Sequence, residues 1–243
     1  MKNITKILAI LSLPLILSAC GGGGGGSGGS SSTVSKTCTT STSSFCTAEF
    51  NANYGLVTTK AYEAFDDGYD GDGIKVAVLD GQFDTAHTDL DANIITGYDE
   101  EDDDGTVAHS GTYTDNHGTH VAGTIAAEKN GTGMMGIAFN ASIMPIKIFK
   151  DNGSFAGEIS NSVAFAVDNG AIVLNNSWGS SIWVSATCGG VNCYAKTAGT
   201  SSAGFNSTDE RTEWDDVATG NAVAVFAAGN EGNNSATGRM TFY

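Results

Sequence analysis

Short apolar runs alternate with segments of helical spacing from about Glu49 onward. The apolar runs follow Gly, Asp or Asn and have the length of buried strands. The segments between them carry small or regularly spaced apolar residues, and Gly170 ends one of them as a helix stop signal. The strand-like runs are residues 73–79, 141–149, 171–174 and 222–227, and the helical segments are residues 121–127 and 159–167. This alternation predicts an α/β fold with a central parallel sheet.

The first 20 residues have the pattern of a bacterial export signal. Lys2 and Lys6 precede an apolar run at residues 7–17, which is too short to span a bilayer as a stable helix. The run ends in LSAC, closing at Cys20, and this resembles the lipobox of bacterial lipoproteins, whose cysteine is lipidated. An ordinary cleaved signal with a chance cysteine is the alternative. The order of apolar run, small residues and cysteine favours the lipoprotein.

A Gly/Ser-rich stretch follows at residues 21–32 and predicts a tether with nothing to pack. We therefore divide the chain into a lipoprotein signal peptide (residues 1–20), a tether (residues 21–48) and a folded part (residues 49–243). The tether would hold the folded part away from the membrane in which the lipid of Cys20 is anchored.

The cysteines support an exported location. The chain has five Cys, and once Cys20 is assigned to lipid, two local pairs remain. Cys38 lies near Cys46, and Cys188 lies near Cys193, so we predict one disulfide within each pair. Exported proteins meet an oxidising environment in which such disulfides persist.

The charge excludes some classes of partner. Acidic residues outnumber basic ones 27 to 11, which gives a formal net charge of −16. Nucleic-acid binding depends on Lys and Arg, so we expect no nucleic-acid partner. Hydrophobic residues make up 40% of the chain, enough for a packed core. The acidic run at residues 99–104 predicts a solvated loop, and it shows no ligand spacing for calcium.

Polar residues with catalytic chemistry follow the apolar runs. Asp80 closes the first run, and functional groups of open α/β sheets lie at such carboxyl ends. Asn230 lies between Gly residues after the last run, in the sequence AAGNEG, where its amide suits donation to a developing oxyanion. Taken alone, each residue is equally typical of an ordinary capping Asp or an Asn-rich turn.

The block DNHGTHVAGT at residues 115–124 places two histidines at the start of a helix. Gly118 and Gly123 would permit close backbone approach there. His117 and His120 are three residues apart and could both bind zinc from one helix face. However, the Glu of the H-E-x-x-H pattern is absent and no third ligand is evident, which disfavours a zinc site.

Together these segments resemble the subtilisin-like serine proteases, the subtilase family, over roughly residues 55–243. The resemblance implies that Asp80 is the catalytic Asp, His117 the general base and Asn230 the oxyanion-hole residue. It also implies a three-layer αβα fold with a mostly parallel sheet. The substrate-binding strands implied by the resemblance contain Ser177, Trp178 and Gly179 on one side and Ala227, Ala228 and Gly229 on the other.

The implied activity is that of an exported serine endopeptidase acting on proteins or peptides. No cofactor is required for its chemistry. Members of the family also bind structural calcium, and Asp89 and Asn130 match side-chain ligands of one such site. A non-catalytic surface protein that binds its partners on the same scaffold is the alternative function.

Two departures from the family pattern change the expectations. The Gly-Thr-Ser-Met-Ala block of the nucleophile is missing, so we expect a fragment whose fold is incomplete at its C terminus and which is inactive alone. The similar GTSSA at residues 199–203 precedes Asn230, and we interpret it as a surface loop. Gly81 and Gln82 replace the hydroxyl residue and Gly that usually follow the catalytic Asp. Asp80 would then be oriented by backbone donors.

The front end of the chain adds a cellular context. A lipobox, a glycine tract and a subtilase domain together resemble surface autotransporter proteases of Gram-negative bacteria. The resemblance implies a lipoprotein at the outer membrane or cell surface, with membrane contact through the lipid anchor at Cys20.

Overall fold

The computed structural model describes most of the chain from residue 37 to residue 227. Within this part, no helix is both long enough and apolar enough to cross a membrane. The described residues are 37–108, 115–156, 159–178, 214, 217 and 221–227. For residues 183–188 and 191–196 the structure describes the backbone alone.

Strands and helices alternate along the described chain, after three short helices at its start. The helices are α1 (Ala48–Ala52), α2 (Tyr54–Thr59), α3 (Ala61–Asp66), α4 (His117–Ala126) and α5 (Ser160–Asp168). The strands are β1 (Lys75–Asp80), β2 (Tyr98–Asp99), β3 (Ser142–Lys147), β4 (Val173–Asn176), β5 (Trp183–Cys188), β6 (Val191–Lys196) and β7 (Val223–Phe226).

Five strands form one parallel sheet in the order β2-β3-β1-β4-β7. The first strand in sequence is therefore the middle one in space. After β1 the chain builds one side of the sheet with β2 and β3, and then crosses to the other side with β4 and β7. The predicted α/β fold with a parallel central sheet is confirmed, and β1 marks the point where the direction of strand addition reverses.

The sheet has a helical layer on each face, because alternate residues of a strand point to opposite sides. Val76 and Val78 pack into a core with Ala122 and Ala126 of α4. Ala77 and Leu79 pack with residues of α5. Continuous apolar strands are typical of sheets that are covered on both faces. The three-layer αβα architecture follows directly from this packing.

The three N-terminal helices build a separate apolar cluster. Phe50, Leu56 and Phe65 are nearly inaccessible to solvent and pack with Met135 and Phe139 from the segment after α4. This cluster stabilises the chain that leads into β3.

A disulfide and a buried carboxylate fasten this cluster further. Cys38 and Cys46 are joined, with a Cα–Cα distance of 5.1 Å. The buried Glu49 accepts hydrogen bonds from the backbone N–H groups of Asn130 and Gly131, both at 2.9 Å. The first residues of the packed structure therefore precede Glu49.

The acidic run at residues 99–104 is not simply a solvated loop, so that expectation was wrong in part. Asp99 is buried and accepts a hydrogen bond of 2.7 Å from Nζ of the equally buried Lys147. Asp151 accepts a second hydrogen bond from Lys147 at 2.6 Å. Burial lowers the pKa of Lys147, but its hydrogen bonds to Asp151 and Asp99 outweigh burial and leave the pKa raised. The run also reaches α5, where Glu100 accepts from the backbone N–H and hydroxyl of Ser162.

An antiparallel hairpin, β5–β6, follows β4. Its register places Cys188 opposite Val191 and Cys193 opposite Ala186. The two cysteines are thus diagonal neighbours on one face of the hairpin. The structure describes only the backbone of Cys188 and Cys193, so the disulfide between them stays a prediction.

The buried Lys147 gives the first testable prediction. Lys147→Ala leaves the carboxylate of Asp99 buried without a cation, so we expect the free energy of unfolding to fall by about 3–5 kcal/mol. Urea denaturation of the purified protein measures it. The matched control is Asp102→Asn, which alters an exposed carboxylate of the same run and should leave the unfolding midpoint unchanged. A midpoint for Lys147→Ala equal to that of the control would contradict the prediction.

Candidate active site

Asp80 is the last residue of β1, at the carboxyl edge of the sheet. Its side chain is 3% exposed. Oδ1 accepts a hydrogen bond of 2.8 Å from the backbone N–H of Gly81. A backbone donor therefore orients this carboxylate, although the hydroxyl residue that usually follows the catalytic Asp is absent.

His117 is the first residue of α4, and its ring lies against Asp80. Its Nδ1 is 2.8 Å from Oδ1 and 3.0 Å from Oδ2 of the carboxylate. The ring is held on one side only, since 54% of the side chain is exposed. A strand end and a helix start thus bring two residues together that are 37 positions apart.

A glycine makes this approach of helix and strand end feasible. A Cβ on Gly118 would lie 2.9 Å from Cε1 of Phe83 and 3.0 Å from the carbonyl oxygen of Gln82. Any larger residue would therefore push the first turn of α4 away from Asp80. The same expectation for Gly123 was wrong, because among the described residues no atom from outside its own stretch of helix lies within 4 Å of its Cβ position.

The surroundings of His117 stabilise the protonated form of its imidazole, because they raise its pKa. The pKa of His117 is raised chiefly by the hydrogen bond to Asp80; partial burial opposes this rise, and the charges of Asp80 and Asp115 add to it. Because Nδ1 faces two carboxylate oxygens, it must carry a proton and donate it. In the neutral imidazole, Nε2 is then the unprotonated nitrogen, which can accept a proton from another group, as a general base does.

The zinc alternative has no support among the described residues. His120 lies on α4 one turn beyond His117, and it lines a separate groove of about 380 Å³ together with Asp84 and His87. No group of three or more His, Cys, Asp or Glu side chains in the described part is placed to hold a metal ion.

The two residues matched to a calcium site do meet, but as hydrogen-bond partners. Nδ2 of Asn130 donates to Oδ1 of Asp89 at 3.2 Å, and Oδ2 of Asp89 accepts from the backbone N–H of Met134. Oδ1 of Asn130 accepts from the backbone N–H of Thr132 at 2.9 Å. Calcium requires six to eight oxygen ligands directed at one point. Asp89 and Asn130 bring two oxygen-bearing side chains close to one another, and calcium binding there stays a prediction.

Of the residues matched to substrate-binding strands, the described ones, Ser177, Trp178 and Ala227, follow β4 and β7 at the same edge of the sheet. Oγ of Ser177 accepts from Asn175 at 3.0 Å, and the ring of Trp178 packs against Phe155 with 5.6 Å between centroids. The backbone N–H of Ala227 donates to the carbonyl oxygen of Asn176 at 2.9 Å. The predicted site residues outside the described ones are Cys20, Gly179, Ala228, Gly229 and Asn230.

Sequence reasoning missed Asp115. Its Oδ1 accepts a hydrogen bond of 2.9 Å from the backbone N–H of His117, at the exposed start of α4. An acidic residue just before a helix is a signal that could have identified it, because carboxylates stabilise helix N termini.

The order of Asp, then His, on this sheet is also found in known proteins. Residues 71–240 match the sequence model of the subtilase family. This chain belongs to the subtilase family. The prediction of a subtilisin-like serine protease is confirmed at the level of the family.

Curated subtilases show how much of such a protein the chain covers. It is 44% identical to fervidolysin of Fervidobacterium pennivorans over 120 residues, which are 45% of this chain and 17% of fervidolysin. It is 31% identical to subtilisin E of Bacillus subtilis (strain 168) over 196 residues, which are 78% of this chain and 42% of subtilisin E. The chain thus spans less than half the length of these relatives.

Solved structures agree with this placement. The crystal structure of fervidolysin, described as a keratinolytic enzyme related to subtilisin, superposes with a TM-score of 0.55 at 32% identity. The superposition covers 76% of this chain and 25% of the fervidolysin chain. The shared part is the αβα framework that positions Asp80 and His117.

The contact of Asp80 with His117 gives the second testable prediction. Asp80→Asn removes the anionic partner, so we expect the pKa of His117 to fall, and NMR titration of the imidazole Cε1 proton measures it. The raised pKa also means that the pair stabilises the fold fully below pH 6.5 and loses this contribution as pH rises through the folded-state pKa. The stability difference between the two proteins should therefore shrink at alkaline pH.

The control for this titration is Asp84→Asn. It changes a carboxylate of the neighbouring loop whose Oδ1 accepts from the backbone N–H of Ala86 instead. An unchanged pKa of His117 in Asp80→Asn, or an equal fall in both variants, would show that Asp80 is not the group acting on the ring.

Proposed function

We propose that this protein is a serine endopeptidase that hydrolyses peptide bonds in protein or peptide substrates. The observation that carries the proposal is the hydrogen-bonded pair of a buried Asp80 and a half-exposed His117 at the carboxyl edge of β1. Membership of the subtilase family supports it, and the resemblance of the sequence motifs implies that Asp80 and His117 are the catalytic Asp and the general base.

His117 would act twice in the reaction. Its Nε2 takes the proton of a serine hydroxyl while the serine oxygen forms a bond to the substrate carbonyl carbon. Nε2 then gives this proton to the leaving amine as the peptide bond breaks, which leaves an acyl-enzyme. Water repeats the two steps and releases the acid. Asp80 holds the Nδ1 proton in place and stabilises the imidazolium that exists between the steps.

The oxyanion of the tetrahedral intermediate needs a donor, and we propose the amide of Asn230. In subtilisin, which belongs to the same family, removing the corresponding amide costs about 3 kcal/mol of transition-state stabilisation. The backbone bond from Ala227 to Asn176 supports the proposal, because it fixes the chain next to β4 three residues before Asn230.

The substrate would bind between the ends of β4 and β7. We propose that Ser177, Trp178 and Gly179 line one side of its binding cleft and that Ala227, Ala228 and Gly229 line the other. The nucleophile of this proposal is a serine in the Gly-Thr-Ser-Met-Ala context of the family, and we do not assign that role to residues 199–203. Mapping the serine that reacts with a fluorophosphonate tests this assignment, and a reactive serine within residues 199–203 would contradict it.

We further propose that the protein is exported and held at the cell surface by lipid on Cys20. The disulfide between Cys38 and Cys46 supports export, because such bonds persist in oxidising compartments. An outer-membrane autotransporter of Gram-negative type is the organisation that the lipobox and glycine tract favour.

Removal of the general base tests the activity. In the complete gene product, His117→Ala should reduce kcat/KM for a peptide substrate by at least about 10²–10⁴-fold, the usual contribution of general acid–base catalysis. The control is His120→Ala, an exposed histidine of the same helix, which should keep most of the activity. Equal activity of His117→Ala and wild type would remove His117 from the mechanism, and binding of peptides without hydrolysis by wild type would favour a non-catalytic scaffold.

Removal of the lipid attachment residue tests the anchor. Cys20→Ser should abolish incorporation of radiolabelled palmitate and move the protein from the membrane fraction to the soluble fraction. Cys38→Ser serves as the control, since it changes a cysteine that the structure places in a disulfide and should keep the label. Palmitate incorporation by Cys20→Ser would contradict the proposed anchor.

A further inference from the structure

The space beside Gly81 is filled by a side chain from another segment. A Cβ on residue 81 would overlap Oδ2 of Asp115 and lie 3.1 Å from its Cγ. Gly81 therefore leaves a notch next to Asp80, and the carboxylate of Asp115 is seated in it. A residue with a hydroxyl side chain at position 81 would therefore require Asp115 to move from its present position.

Gln82 also contacts Asp115, through the backbone of that residue. It is 1% exposed, and its Oε1 lies 3.4 Å from the backbone N–H of Asp115. Oδ1 of Asp115 in turn accepts the backbone N–H of His117. Gly81 and Gln82, the two residues that depart from the family pattern, thus both contact Asp115, which holds the start of α4.

We propose that Asp115 is a positioning residue for His117: a second carboxylate, seated in the notch of Gly81, that clamps the first turn of α4 and acts with Asp80 on one imidazole. The inference rests on the proposed function only in its kinetic consequences. Asp115 touches the backbone of His117 and not the reacting atoms, so it works through the histidine.

The negative charge of Asp115 acts on both the helix terminus and the pKa of His117. It lies at the N terminus of a ten-residue helix, where a negative charge is favourable. Together with the hydrogen bond from Asp80, it raises the pKa of His117. Among the described residues, the other charged or titratable groups of the neighbouring elements are Asp84, His120 and Lys147. Asp84 and His120 line the groove that His117 does not line, and Lys147 is hydrogen-bonded to Asp99 and Asp151. Asp80 and Asp115 are therefore the carboxylates that face the ring.

Removal of the charge should change the pH dependence in a way that a purely structural role would not. Asp115→Asn keeps an oxygen that can accept from His117 but removes the negative charge. We expect the pKa of His117 to fall, by NMR titration, and the acidic limb of the kcat/KM profile to move to lower pH by the same amount. The limb moves because the base then loses its proton at a lower pH.

The notch is tested by a double-mutant cycle. Gly81→Ala should displace the carboxylate and lower the pKa of His117, since the end of the Asp115 side chain can move where backbone could not. In an Asp115→Ala background the same methyl group meets no carboxylate. We therefore expect Asp115→Ala and the double variant to agree within about twofold in kcat/KM. Gly123→Ala, which adds a methyl group in open space on α4, is the control and should leave the pKa unchanged.

The outcomes separate this inference from the proposed function. The NMR titration requires no hydrolysis, so a fall in the pKa of His117 in both Asp115→Asn and Gly81→Ala supports the inference even for a wild-type protein without peptidase activity. An unchanged pKa in Asp115→Asn overturns the inference, whether or not the protein hydrolyses peptides. If the effects of Gly81→Ala and Asp115→Ala on kcat/KM are additive, the two residues do not interact, and the inference that Asp115 is seated beside Gly81 is overturned.

Discussion

The close approach of the first turn of α4 to the carboxyl end of β1 is the constraint on which the candidate site depends. Gly118 sets it, because a side chain there would meet Phe83 and the carbonyl of Gln82. The approach converts a strand end and a helix start into one hydrogen-bonded pair, Asp80 with His117. A misplacement of about 1 Å in such a pair can cost a large factor in rate. The packing of a single glycine thus controls the geometry of the chemistry.

Charge is distributed unevenly around this approach. The chain is strongly acidic, yet Lys147 is buried at the end of β3, beside Asp80 in the sheet register. The ends of three adjacent strands thus carry Asp99, Lys147 and Asp80 at the carboxyl edge of the sheet. Asp99 and Asp151 accept the hydrogen bonds of Lys147, and Asp80 pairs with His117, so Lys147 and Asp80 each have their own partner. Because neither charge depends on the other for its hydrogen bonds, Asp80 remains available to His117. The acidic run stabilises the framework, while the carboxylate of Asp80 is held separately.

The sequence allowed the α/β fold with its parallel sheet to be predicted, because apolar runs and glycine stops are local signals, and the family resemblance implied the three αβα layers. It also placed Asp80 at a strand end and His117 at a helix start. The burial of Asp99 was not predictable in this way, since its partner Lys147 is 48 residues distant and an acidic run by itself is typical of solvent. Gly123 was misjudged for a related reason: a glycine in a motif does not reveal whether any atom lies opposite it. The short helices α1–α3 and the hairpin β5–β6 were missed because their apolar patterns are weak.

The residues after Asp80 show why departures from a family pattern should be judged in three dimensions. Judged from the sequence alone, Gly81 removes a hydroxyl group that could orient the carboxylate of Asp80. In the structure, the N–H of Gly81 still donates to Asp80, so the orientation does not depend on that hydroxyl. The vacated space is not empty, since a carboxylate from the segment before α4 occupies it. A substitution on one side of the site and a carboxylate on the other therefore form one contact, and neither can be interpreted without its partner.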